Sequence, residues 1–70
     1  MRYAIVIEKA ENNYAAYVPD LPGCVAAGAT LEETADLIRS GVEIHLNAMR
    51  EHGDAIPEPS TRVDYVALAS

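Results

Sequence analysis

Between Ala27 and Leu31 the spacing of apolar side chains changes from every second residue to every third or fourth. No other feature constrains the fold as much, because a period of two lies flat in a strand and a period near 3.6 marks one side of a helix. Before the switch, Arg2 to Glu8 alternates, with Tyr3, Ile5 and Ile7 on one face and Ala4, Val6 and Glu8 on the other. Glu11-Asn12-Asn13 is turn-forming, and Tyr14 to Val18 reads as a second strand, so the two make a hairpin. Pro19-Asp20-Leu21-Pro22-Gly23 then interrupts the pattern. Its prolines remove ladder donors and its glycine permits positive φ, which predicts a rigid connection. A short third strand, Cys24 to Ala27, ends at Gly28.

After the switch, Thr30 and Glu33 form a capping box, and Glu32, Glu33 and Asp36 sit where the helix dipole favours anions. Leu31, Ala35, Ile38, Val42, Leu46 and Met49 make an apolar stripe, widened on one flank by Leu37, Ile44 and Ala48. Gly53 is a natural stop. The spacing predicts a helix over Leu31 to Glu51, followed by an extended loop through Pro57 and Pro59. Arg62 to Leu68 alternates again, with Val63, Tyr65 and Ala67 against Asp64, Val66 and Leu68, and reads as a fourth strand.

The predicted order is therefore β-β-β-α-β, an α+β domain. An antiparallel meander presents one apolar face, the helix covers it, and a right-handed crossover brings the fourth strand beside the first. The expected spatial order is 3-2-1-4 with the last pair parallel. The short third strand would then be an edge open to another chain.

Seventy residues allow one domain. Such a chain buries only about 60% of the surface exposed on unfolding, and its core supplies roughly 3–5 kcal/mol. Cys24 is the single cysteine, so no disulfide reinforces the fold, and His45 and His52 do not complete a metal-binding pattern with it. No cofactor is expected. The missing support is expected from self-association or from a partner.

The formal charge is −6, from 11 acidic and 5 basic side chains. Nucleic-acid affinity rests on Lys and Arg neutralising phosphates, so direct binding to DNA or RNA is not expected. A basic protein partner suits this balance better. The apolar run near the start is too short for a signal core or a membrane span, and a lone reduced cysteine fits a cytoplasmic location.

Tyr14-x-x-Tyr17-Val18-Pro19-Asp20-Leu21-Pro22-Gly23-Cys24, then Gly28-x-Thr30-x-x-Glu33, then Ile56-Pro57-Glu58-Pro59-Ser60, resembles the N-terminal domain of HicB-family antitoxins. The three blocks span most of the chain. The resemblance implies a shortened ribonuclease H-like β-β-β-α-β domain of bacterial or archaeal origin. It also implies a HicA-type toxin as partner, a small basic RNA-cutting protein whose active surface the antitoxin covers. Many members continue into a DNA-binding domain. None is visible within these 70 residues, so the chain is expected to be a single-domain member without operator binding.

Ribonuclease H-like enzymes hold two Mg²⁺ ions on several carboxylates. Here Glu8, Asp20, Asp64 and the capping carboxylates do not converge on one site, so a non-catalytic relative is the better reading. Cys24 opens a strand as a small core residue, and His45 lies at the margin of the helix stripe. The candidate partner contacts are Asp20 in the turn and Glu32, Asp36 and Glu43 on the outer helix face, which Glu51 extends. Arg39 lies among them and pairs locally with Asp36 or Glu43. The alternative role is a stand-alone oligomeric module with no toxin.

Overall fold

Helix α1 spans Leu31–Glu51, the range that the apolar spacing predicts. In a computed structural model describing residues 1–69, it packs on a three-stranded antiparallel sheet of β1 (Val6–Lys9), β2 (Tyr14–Tyr17) and β3 (Val25–Gly28), in the order β1-β2-β3. Both helix ends are capped, although of the predicted capping box only the Thr30 half is formed among the described residues. Thr30 is extended and its hydroxyl accepts from the Glu33 amide at 3.1 Å. At the other end Gly53 has φ +73°, and the Gly53 and Asp54 amides donate to the Arg50 and Met49 carbonyls. That is the paired bonding of a Schellman motif, which needs a residue tolerant of positive φ after the cap.

The hairpin loop closes through the Ala10 amide donating to Asn13. The ladder pairs Val6 with Tyr17 and Lys9 with Tyr14. The first strand is thus shorter than the alternation from Arg2 predicts. In this register Ala4 would face Pro19, which has no N–H to offer a ladder. Arg2 to Ile5 instead continues β1 without a paired neighbour, while Tyr3 and Ile5 still pack against the core.

The Pro-rich connection is two consecutive turns. Leu21 N–H donates to the Val18 carbonyl, and Cys24 N–H donates to the Leu21 carbonyl, each at 3.0 Å. Pro19 and Pro22 both occupy the second turn position, where a fixed φ near −65° is favourable, and Gly23 follows at φ +84°. The double turn drives Leu21 into the core, where it is 1% exposed.

Ile7, Ala16 and Ala26 form one cross-strand row beneath the helix. The small side chains of β2 and β3 let α1 approach closely, and Ile38 fills the space with no exposed surface. Gly28 completes this close approach. A Cβ there would lie 2.7 Å from Thr34 Oγ1 and 3.1 Å from its amide nitrogen. Thr34 cannot retreat, because it is fully buried and its hydroxyl donates to the Thr30 carbonyl at 2.8 Å. Gly28→Ala is expected to destabilise by about 1–3 kcal/mol through overpacking, read as a lower urea midpoint.

The fourth strand predicted over Arg62 to Leu68 is not present. Residues 62–69 belong to no sheet and all are exposed. The loop before them is nonetheless anchored. Ile56 packs against the core, and the Tyr3 hydroxyl donates to the Pro57 carbonyl. Alternation selects residues able to lie in a sheet, but it does not supply the neighbouring strand.

Candidate functional site

Glu32, Asp36 and Glu43 are separated by four and seven residues on α1, so they fall on one side of the helix, and all three are exposed. Asp36 pairs with Arg39 at 3.3 Å, with side chains 79% and 70% exposed. An ion pair so open to water contributes little to stability. It leaves Glu32 and Glu43 without an ion-pair partner among the described residues. The stripe from Glu32 to Glu43 runs about 16 Å along the axis.

Asp20 stands elsewhere. The double turn holding it precedes β3, whereas Glu32 follows β3, so the two lie at opposite ends of the sheet. Its carboxylate is engaged within the chain. Oδ2 accepts from the Ser60 and Thr61 amides, both at 3.0 Å, and Oδ1 accepts from their hydroxyls at 3.1 and 2.8 Å. The Thr61 amide, helped by the Thr61 hydroxyl and the Ser60 donors, holds the Asp20 pKa below its ordinary value of 3.8, against a smaller opposing effect of burial. Because the pKa is lowered on folding, the stabilisation is complete above 3.8 and is lost as pH falls through the lower folded value. Ser60 and Thr61 amide protection is therefore expected to hold from pH 7 down to about 4 and fall below it. Asp20→Asn is expected to lose that protection at neutral pH, read by hydrogen exchange.

Sequence reasoning did not find Ser60 and Thr61 as partners of Asp20. Forty residues separate the two sides of this clasp, and a Ser-Thr pair after a proline carries no local mark of its target. It also did not find the outer side of the sheet. Val6, Tyr17 and Val25 form one cross-strand row facing away from the helix, and Glu8, Ala15 and Ala27 form the next row. Val25 is 70% and Tyr17 42% exposed, so this face carries an apolar row, bordered by Glu8, where the meander was expected to have one apolar face only.

Cys24 is buried beside Gly41, and burial pushes its thiol pKa up, the opposite of what a nucleophile needs. No three or more His, Cys, Asp or Glu side chains gather to hold a metal among the described residues. No helix among them is long and apolar enough to cross a membrane.

The arrangement therefore offers surfaces: an acidic helix stripe, an apolar row on the outer sheet face and an exposed final segment. The family model described as the HicB-like antitoxin of bacterial toxin–antitoxin systems matches residues 3–69. An uncharacterised 14.9 kDa protein from the rep-hol intergenic region of Haemophilus phage HP1 is 35% identical over 66 residues, covering 94% of this chain and 50% of the phage protein. A UPF0150 protein of Helicobacter pylori is 49% identical over 41 residues, covering 59% of this chain and 57% of that one. A UPF0150 protein of Synechocystis is 32% identical over 71 residues, covering 100% of this chain and 97% of that one. The chain thus spans about half the length of the phage and Helicobacter relatives. No solved structure matches it significantly.

Proposed function

This chain belongs to the HicB-like antitoxin family of bacterial toxin–antitoxin systems, and on that footing we propose that it is a protein-binding module that neutralises a HicA-type toxin. It acts by covering the toxin's RNA-contacting surface. The observation that carries this reading is the family match across residues 3–69, which takes in every strand and the helix. The acidic stripe of Glu32, Asp36 and Glu43 is the surface that faces the toxin. An RNA-cutting protein is basic where it meets phosphates, so a carboxylate row complements that surface and competes with RNA for it. Binding rather than catalysis is the role.

Co-expression with a HicA-type toxin tests the proposal. Growth restored in cells making the toxin, together with co-purification of the two chains, is the expected result. A folded chain that neither restores growth nor co-purifies would remove the proposal. The exposed final segment and the apolar row on the outer sheet face favour a second reading, an oligomeric module that acts without a toxin. In that case no toxin-dependent phenotype exists to be rescued.

A further inference from the structure

Residues 62–69 form an extended segment without a partner. Among the described residues their one hydrogen bond is local, from the Tyr65 amide to its neighbour Asp64 at 2.8 Å. Tyr65, Val66 and Leu68 are 88%, 83% and 80% exposed. Such exposure is costly for a small domain, and the alternating pattern suits a strand.

A second unpaired edge lies nearby. Among the described residues β2 is the only sheet neighbour of β1, so the outer edge of β1 has no strand beside it from Val6 to Lys9, and Arg2 to Ile5 prolongs that edge. Beside it runs a groove of about 320 Å³ lined by Tyr3, Ile5, Val42 and Leu46, with Arg39 and Glu43. A cavity of that size accepts an aromatic or large aliphatic side chain.

The segment does not use this edge in its own chain. Its root is fixed by the Asp20 clasp, and Thr61 to Val63 pass beside Arg2 to Ala4. From there it leaves the body. The radius of gyration is 13.9 Å, against about 11 Å for a compact chain of this length. The long axis is 49 Å, whereas α1 accounts for about 32 Å.

Charge points to the occupant. Residues 2–9 and 62–69 carry Arg2, Lys9 and Arg62 against Glu8 and Asp64, a net +1, while the rest of the chain carries −7. Two copies at −6 each repel through the helix stripe but can meet along these segments.

We propose that two copies exchange their final segments. Residues 62–69 of each pair along the free β1 edge of the other, residues 2–9, and lay apolar side chains over its groove. The fourth strand is then supplied between chains, and the added burial supports a core that is small alone.

The test uses the full chain and no toxin, so its outcome is separate from that of toxin neutralisation. Equal amounts of isotope-labelled and unlabelled chain are mixed after denaturation and refolding. The expected result is intermolecular NOEs between Tyr65–Leu68 and Tyr3–Ile7, with sedimentation at about 15 kDa, twice the chain mass of 7.5 kDa. Tyr65→Asp combined with Val66→Asp puts a charge on both sides of the segment, whatever the register. It is expected to raise the dimer dissociation constant at least tenfold while leaving the helical signal unchanged. A monomer at 100-fold varied concentration, NOEs confined within one chain, or a dimer indifferent to the double substitution would overturn the proposal. Should the double variant lose helix, the NOEs of the unaltered chain decide alone.

Discussion

Replacing Ile38 by alanine is expected to destabilise the domain by about 2–5 kcal/mol. Ile38 lies near the middle of α1 with 0% exposure, inside the cluster that joins Ala16, Val18, Leu21, Cys24 and Leu46. Removing its outer carbons forfeits their transfer energy and leaves a cavity. The surroundings can collapse only partly, because the facing side chains on β2 and β3 are already alanines and the backbone beneath them is held by ladder bonds. A core of this size supplies only roughly 3–5 kcal/mol, so the variant should be largely unfolded at room temperature. Ile44→Ala is the matched control. Ile44 is on the same helix but 69% exposed, and its truncation should stay within about 0.5 kcal/mol. Urea melts followed by helical circular dichroism read both. A loss below about 1 kcal/mol for Ile38→Ala would mean that the helix is not held by the face described.

The second large effect concerns binding. On the proposed interface, changing Glu32, Asp36 and Glu43 together to lysine is expected to weaken affinity for a HicA-type toxin by at least about 100-fold, because each reversal would replace attraction by like-charge contact. Three reversals add six charges and bring the net charge from −6 to zero, so bulk charge must be separated from the stripe. Glu11→Lys, Asp54→Lys and Glu58→Lys change the total equally at exposed positions off the helix. That control should lower the association rate modestly and leave the dissociation rate nearly unchanged. Glu32→Lys also opposes the helix dipole at a cost of about 0.3–1 kcal/mol, so the triple variant is compared at matched helical signal. Glu43 borders the groove beside β1, and sedimentation of both triples shows whether self-association has moved as well. Equal weakening by the two triples would remove the stripe from the interface.

Much of this architecture is readable from residue type alone. Thr30, Glu33 and Gly53 mark both ends of α1, because capping chemistry is local. Pro19, Pro22 and Gly23 mark the double turn for the same reason. What is not readable depends on distant pairing. The first strand reaches only Val6 because Pro19 falls opposite Ala4 in a register that no local pattern reveals. Leu37 and Ile44 look like a flank of the buried stripe, yet they are 45% and 69% exposed, since three short strands are too narrow to cover so wide a face. The Val6–Tyr17–Val25 row is hidden by the same limit, as alternation separates two faces without telling whether the second is also apolar. At the candidate site, the helix spacing places Glu32, Asp36 and Glu43 together correctly, while Asp20 belongs to a clasp closed from forty residues away.

RNA cleavage by a purified HicA-type toxin, measured while this chain is added, reaches the proposed function most directly. Cleavage should fall to background as the chain reaches stoichiometric amounts, and it should return when the helix-stripe triple replaces the original chain. Cleavage that continues unchanged with folded chain in tenfold excess would contradict the account.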